Sequence, residues 1–307
     1  MIDFGGPWED GARVLPARLA SGHKGTFGTV AIVGGSVGHG RVMVGAPALV
    51  ALGALRSGAG LAKLVASDAV LAQSLSMCPS ATGVSIATDV SGGLDMADAI
   101  TVLDAQMVAA DALVVGPGMG VGEVERAMVL RAVQQQDVPV VVDADAITNL
   151  AAIPELWRDF RAGAILTPHP GEFSRIAATL KIAHSPVERD ARPMAAAALA
   201  QRLGCVVVLK GQGTVVSDGL RTWVCARGHP CMATAGTGDV LGGVIAGLVA
   251  QHSRGGLGLF DAARFGVEAH ARAGEAWALA SGVQAGLLAA ELADHVPRAL
   301  EAFRPAG

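Results

Sequence analysis

Short apolar runs, separated by glycine-rich turns and by longer stretches of helical spacing, recur along the whole chain. Thr29-Val30-Ala31-Ile32-Val33 is β-branched or apolar at nearly every position, the pattern of a strand buried on both faces. The runs Ala62–Ser67, Gly83–Thr88, Ala112–Gly116, Val138–Asp143, Ala164–Thr167 and Val206–Lys210 repeat it. Strands alternating with helices predict an α/β fold with a mostly parallel central sheet and helices on both faces. After Val206 the rhythm changes. Gly211-Gln212-Gly213 precedes two short β runs, Thr214–Ser217 and Thr222–Ala226, which turn at Asp218-Gly219 into a hairpin at the sheet edge. Helical spacing then covers Asp239–Gln251, Leu259–Ala280 and Gly286–Phe303.

The first strand leads through a glycine-rich turn, Gly34-Gly35-Ser36-Val37-Gly38-His39-Gly40, into a helix over about Val44 to Ser57. Gly45, Ala46, Ala48, Ala51, Gly53 and Ala54 give that helix a small face for close packing. The spacing fits neither GxGxxG nor GxxxxGK[ST], so neither a Rossmann fingerprint nor a P-loop is indicated. Residues Met1 to Ser21 read as an irregular arm in which Arg13-Val14-Leu15-Pro16 forms a short docking segment. No repeat or linker interrupts residues 1–307, which predicts one domain.

Composition narrows the function classes. Of 307 residues, 51% are hydrophobic, 16% are charged and 41 are Gly, which suits a buried sheet with many tight turns. A net charge of −4 without a Lys/Arg cluster, 4% aromatic residues and no Tyr argue against nucleic acid or an anionic membrane as partner. Cys78, Cys205, Cys225 and Cys231 form no CxxC pair, as expected of free thiols in a reducing compartment. The longest apolar span, Val240 to Ala250, falls short of the roughly 20 residues of a membrane helix. With no signal-like N-terminus, a cytoplasmic protein is expected.

Candidate chemistry gathers after the strands, where parallel sheets bind ligands. Gly236-Thr237-Gly238-Asp239 opens a helix, and free amides with the positive end of the helix dipole favour phosphate there. Asp239 reads either as a cap for that helix or as a base taking a proton from a substrate hydroxyl. Gly116-Pro117-Gly118-Met119-Gly120 reads as a close approach to a ligand or as a tight turn. Asp143 and Asp145, if the chain stays extended, share one face for Mg²⁺; a cap at Asp145 is the alternative. Thr167-Pro168-His169-Pro170-Gly171-Glu172 projects His169 and Glu172 from a turn fixed by two prolines. Lys210 ends an apolar strand before glycines, suiting a nucleotide phosphate or a snorkelling surface lysine.

Together with His23-Lys24-Gly25-Thr26-Phe27-Gly28, Ala54 to Gly60, Val208-Leu209-Lys210-Gly211 and Met232 to Leu241, these segments resemble the ADP/ATP-dependent NAD(P)H-hydrate dehydratase family of the ribokinase-like superfamily. The terminal GTGD belongs to the whole superfamily, whereas TPHPGE with the N-terminal KG-x-x-G is more specific. The resemblance implies a ribokinase-like three-layer sandwich that uses ADP or ATP and Mg²⁺ to restore NADH or NADPH from its hydrated form. It implies Asp239 as catalytic base, with Ala46, Gly118, His169 and Asp239 at the hydrate. Lys210, Gly211, Gln212, Gly213, Thr214, Gly236, Thr237 and Gly238 are implied at the nucleotide, and Glu172 at Mg²⁺. It further implies a homo-oligomer, with epimerase activity on a separate chain.

One departure touches the nucleotide loop: His229-Pro230-Cys231 stands where the family usually has Asn-Pro-Gly. Two rival functions share the motifs. A kinase of the same fold, acting on a thiazole or pyrimidine alcohol, would leave a stable phosphoester. A non-catalytic nucleotide-binding regulator would gain nothing from Asp239.

Overall fold

The apolar runs form strands whose side chains divide between two cores, and this division explains why they are apolar at both odd and even positions. The chain is described here by a computed structural model covering residues 2–3, 14–38, 40–252 and 255–304. Its first half contains β1 (Ile2–Asp3), β2 (Thr29–Val33), β3 (Ser36–Gly38), β4 (Arg41–Met43), α1 (Gly45–Arg56), β5 (Leu61–Ala66), α2 (Asp68–Met77), β6 (Thr82–Ser85), α3 (Met96–Ala109) and β7 (Ala112–Val115). There follow α4 (Glu123–Gln134), β8 (Val140–Val142), α5 (Asp145–Ala151), β9 (Ala164–Leu166), α6 (Pro170–Leu180), α7 (Arg192–Leu203), β10 (Val206–Leu209), β11 (Val215–Ser217), β12 (Thr222–Val224), α8 (Thr237–His252), α9 (Leu259–Ser281) and α10 (Ala289–Glu301).

The main sheet runs β1-β12-β11-β10-β9-β8-β7-β2-β5-β6. Its pairings are parallel from β6 across to β10; β11 is antiparallel to both β10 and β12, which makes the predicted edge hairpin. Val30 and Ile32 enter the core under α1, α8, α9 and α10, while Ala31 and Val33 enter the one under α3 to α7. The same alternation holds in β7, β8 and β10. Each sheet face is thus covered by helices, as the alternation of elements requires.

Several predicted strands stop one residue early. Gly116, Asp143, Thr167 and Lys210 leave the ladder at the C-terminal ends of β7, β8, β9 and β10. Two of the further differences concern elements too short for a periodic signal, and the third is a helix boundary. The glycine-rich turn after β2 contains the hairpin β3–β4, paired Ser36 to Met43. The arm expected to be irregular contributes β1, parallel to β12. The last helix begins at Ala289 rather than Gly286. Of the docking segment, Leu15 is wholly buried and donates its amide to Phe303 O at 2.9 Å. Arg13, like His39 in the glycine turn and Ser253-Arg254 after α8, lies outside the described residues.

The small face of α1 packs against α8 with both helices running the same way. A methyl group added at Gly243 would lie 2.1 Å from Val50 O, so glycine there allows backbone against backbone. The N-termini of α1 and α8 are thereby brought to the same end of the sheet. Among the described residues no helix is long and apolar enough to cross a membrane.

Candidate active site

Strand order reverses at β2, with β5 and β6 to one side and β7 to β10 to the other, so the crevice of this fold lies beyond the C-terminal ends of β2 and β7. Two loops meet there: Gly35 donates its amide to Pro117 O at 2.8 Å, and Ser36 Oγ donates to Gly118 O at 2.8 Å. Gly118 has φ +63°, and a methyl group on it would meet Met43 Cβ at 2.8 Å and Ala46 Cβ at 3.4 Å. Glycine is therefore required both for its conformation and for its space. Ala46 and Gly118, the predicted hydrate contacts, adjoin one another.

Beyond β8, β9 and β10 the charged residues converge. Lys210 Nζ is 2.6 Å from Asp143 Oδ1 and 3.9 Å from Glu172 Oε2, and all three side chains are largely buried. Burial lowers the Lys210 pKa, but Asp143, Glu172 and Asp239 outweigh it and the net shift is upward, so the ammonium stays charged. Glu172 is shifted upward by its burial and by Asp143, against the pull of Lys210 and His169.

His169 and Glu172 form a capping box at the start of α6. His169 Nδ1 accepts the amides of Gly171 at 3.0 Å and Glu172 at 3.3 Å, while Glu172 Oε2 accepts the His169 amide at 2.8 Å. Nδ1 as acceptor leaves the proton on Nε2, which lies 3.3 Å from Glu172 Oε1. The His169 side chain is 52% exposed, so it both caps the helix and presents a face to the crevice.

Asp143 and Asp145 do not share a face. The chain turns between them at Ala144, whose φ of +51° is one that non-glycine residues rarely adopt, and the Asp143 carboxylate holds the turn by accepting the Ala144 amide at 2.8 Å. Asp145 Oδ2 accepts the Gly120 amide at 3.0 Å, tying the β7 loop to α5.

Gly236 to Asp239 sit opposite this cluster, with Thr237 as the first residue of α8. A methyl group on Gly238 would lie 3.7 Å from Lys210 Nζ, so the two predicted nucleotide segments face one point. The first turn of α8 is braced from both sides. Thr237 Oγ1 donates to Met232 O at 3.1 Å and Thr234 O at 3.0 Å, and buried His270 on α9 lies with Nε2 2.8 Å from Thr237 O. Burial drives the His270 pKa down to about 4, leaving a neutral ring that donates from Nε2. The Asp239 carboxylate makes no hydrogen bond or ion pair among the described residues, which removes the reading of it as a helix cap. Burial, and then Asp143, Glu172 and Asp145 against the opposing pull of Lys210, raise its pKa to about 7. A carboxyl half ionised at neutral pH and free of partners is suited to proton transfer.

The loop Lys210–Thr214 is closed by Thr214 Oγ1, which donates to Gly211 O at 2.9 Å. Beyond it the substituted segment His229-Pro230-Cys231 keeps a capping bond: His229 Nδ1 accepts the Cys231 amide at 3.2 Å and opens a short 3-10 turn over Pro230–Met232. Cys231 takes an ordinary backbone conformation and is buried, its thiol donating to Gly274 O at 3.5 Å.

Among the described residues no three His, Cys, Asp or Glu side chains converge as a metal cage. Mg²⁺ needs no such cage, because it keeps several waters and binds through one or two carboxylates plus substrate phosphates. At Asp239 the carboxylates of Asp143, Glu172 and Asp145 act against the single Lys210, and that excess of negative charge fits a divalent cation.

A family model described as NAD(P)H-hydrate dehydratase matches residues 30–298. The ADP-dependent (S)-NAD(P)H-hydrate dehydratase of Neisseria meningitidis serogroup B is 38% identical over 285 residues, covering 91% of this chain and 87% of that protein. The bifunctional NAD(P)H-hydrate repair enzyme of Coxiella burnetii is 37% identical over 295 residues, 94% of this chain. The chain spans about half the length of that relative and of its counterpart from Thermofilum pendens, 54% and 53%. Among solved structures, the ADP/ATP-dependent NAD(P)H-hydrate dehydratase of Bacillus subtilis, co-crystallised with ATP and Mg²⁺, has a TM-score of 0.75 at 32% identity, covering 95% of each chain.

Proposed function

Because the chain belongs to the NAD(P)H-hydrate dehydratase family, we propose that it dehydrates the S-epimer of hydrated NADH or NADPH at the expense of ADP or ATP, restoring the reduced nicotinamide and releasing phosphate. One observation carries the reading: an unpartnered Asp239 carboxylate with a pKa of about 7, on the first turn of a helix that faces Lys210.

The chemistry follows from the positions. The hydrated ring presents a hydroxyl, which is a poor leaving group. Asp239 takes its proton, and the oxygen attacks the terminal phosphorus of the nucleotide, with AMP or ADP departing. The amides of Gly236, Thr237 and Gly238, with the Lys210 ammonium, stabilise charge on the phosphoryl oxygens. The lone pair of the ring nitrogen then expels phosphate, and loss of a proton from the neighbouring carbon restores the conjugated ring. Ala46, Gly118 and His169 border the hydrate; Lys210 to Thr214 and Gly238 border the nucleotide. Glu172 would hold Mg²⁺, and the ion would neutralise phosphate charge.

The same reading takes residues 1–307 as one domain acting in the cytoplasm as a homo-oligomer. The decisive experiment incubates the protein with hydrated NADH and either ADP or ATP and follows the return of NADH absorbance together with free phosphate. Folded protein that restores no NADH with either nucleotide refutes the dehydratase function, and a stable phosphoester without NADH identifies a kinase instead.

A further inference from the structure

Arg192, the first residue of α7, is 6% exposed and pairs with no carboxylate among the described residues. Its guanidinium is spent on backbone carbonyls. Nη1 donates to Pro186 O at 2.7 Å, and Nη2 lies within hydrogen-bond distance of Leu209 O at 2.9 Å, Lys210 O at 3.2 Å and Gly213 O at 3.4 Å, while Nε has no partner. A buried cation without an anion and with an orphaned N–H is a poor device for stability. Three of its four acceptors belong to β10 and the loop that follows it.

Resting on the nucleotide assignment above, we infer that Arg192 is a positioning residue that gives Lys210–Thr214 its nucleotide-receiving shape without touching the ligand. A trans peptide points its C=O and the following N–H in opposite directions, and no peptide bond among the described residues is cis. Drawing Lys210 O and Gly213 O toward the guanidinium therefore turns the Gly211 and Thr214 amides away from it. Neither amide donates to any described residue, so both are left for an outside acceptor. The third peptide is used differently: with Leu209 O on the guanidinium, the Lys210 amide donates to Pro168 O at 2.8 Å and ties the loop to the turn that carries His169. The two arms of the guanidinium serve different segments, Nη1 holding Pro186 O while Nη2 faces the β10 loop, and a lysine ammonium, a single point of donation, does not supply two nitrogens fixed in one plane. Outward amides at the loop suit phosphate or ribose oxygens of a nucleoside diphosphate or triphosphate.

The test measures ADP binding, in the presence of Mg²⁺, to the full chain by titration calorimetry. Arg192→Lys is expected to raise the ADP Kd by about tenfold or more while the KM for the hydrate stays within about twofold. A purely structural role would weaken both together. On the wild type, ADP is expected to slow hydrogen exchange at the Gly211 and Thr214 amides, a measurement that does not depend on any variant folding. Unchanged ADP affinity in folded Arg192→Lys, or no added protection at those amides in wild type that binds ADP, overturns the inference. Wild type that binds neither ADP nor ATP instead removes the nucleotide assignment, and this inference with it.

Discussion

Lys210 Nζ lies 2.6 Å from Asp143 Oδ1, with the two side chains 18% and 2% exposed. Their strands, β10 and β8, are not neighbours; β9 lies between them. The pair therefore spans three strand ends and fixes the depth at which the positive charge of the site sits. Glu172 and Asp239 share that charge without hydrogen-bonding to it.

A buried pair of this kind is costly to break from one side. Asp143→Asn or Lys210→Met alone is expected to cost about 3–5 kcal/mol in urea unfolding, because the remaining charge is stranded. Lys210→Met should be the worse of the two, since it leaves Asp143, Glu172 and Asp239 without their shared cation. The double variant should cost less than the sum of the single changes. Strict additivity would show that the two side chains do not interact in solution.

Asp239 makes the pH profile a report on its own ionisation. If it is the base, kcat/KM must rise with pH through about 7, its folded-state pKa, and level off above it. Asp239→Asn should lower kcat by about 10²–10⁴-fold while leaving nucleotide affinity within a few-fold. A profile that is flat between pH 5 and 9 would assign the proton to another group.

The architecture was legible because the strands are apolar on both faces and the helices carry their own period, so parallel layers followed from spacing alone. The convergence of His169, Glu172, Lys210 and Gly236 to Asp239 was legible for a related reason: each follows a strand or opens a helix, and a parallel sheet gathers those ends. What stayed hidden depends on geometry that no period encodes. Asp143 as the partner of Lys210 sits 67 residues away from it, and the expectation that it shares a face with Asp145 failed at one positive φ, that of Ala144. Arg192 gave no signal because Arg at the start of a helix reads as surface. His270 gave none because a histidine inside an apolar helix reads the same whether or not it reaches Thr237 O. The hairpin β3–β4 has three residues to a strand, too few to alternate.

The loop that carries His229 in place of the family's asparagine is expected to tolerate the exchange. Both side chains can accept the amide two residues on, which His229 Nδ1 does for Cys231 at 3.2 Å. His229→Asn should therefore change the thermal midpoint little. His229→Ala, which removes the acceptor, should cost about 1 kcal/mol by analogy with helix N-caps. Equal losses for the two variants would mean that the bond contributes nothing.

Stability should carry the mark of Asp239 with a definite sign. Its pKa rises from 3.8 in the unfolded chain to about 7 in the folded one, so the folded state holds the proton more tightly. The contribution from that proton is fully present below pH 3.8 and is lost as pH rises through about 7, above which the fold bears an ionised carboxylate in a buried, acidic setting. Asp239→Asn removes the charge but keeps the shape. Its stability advantage over wild type should therefore be near zero at pH 4, grow through neutrality and reach at most about 4 kcal/mol by pH 8 to 9. The groups common to both proteins, including neutral His270, cancel in the difference. Unfolding midpoints of the two proteins across this range test the sign directly: an advantage that shrinks as pH rises would mean that the Asp239 carboxylate is stabilised rather than strained where it sits.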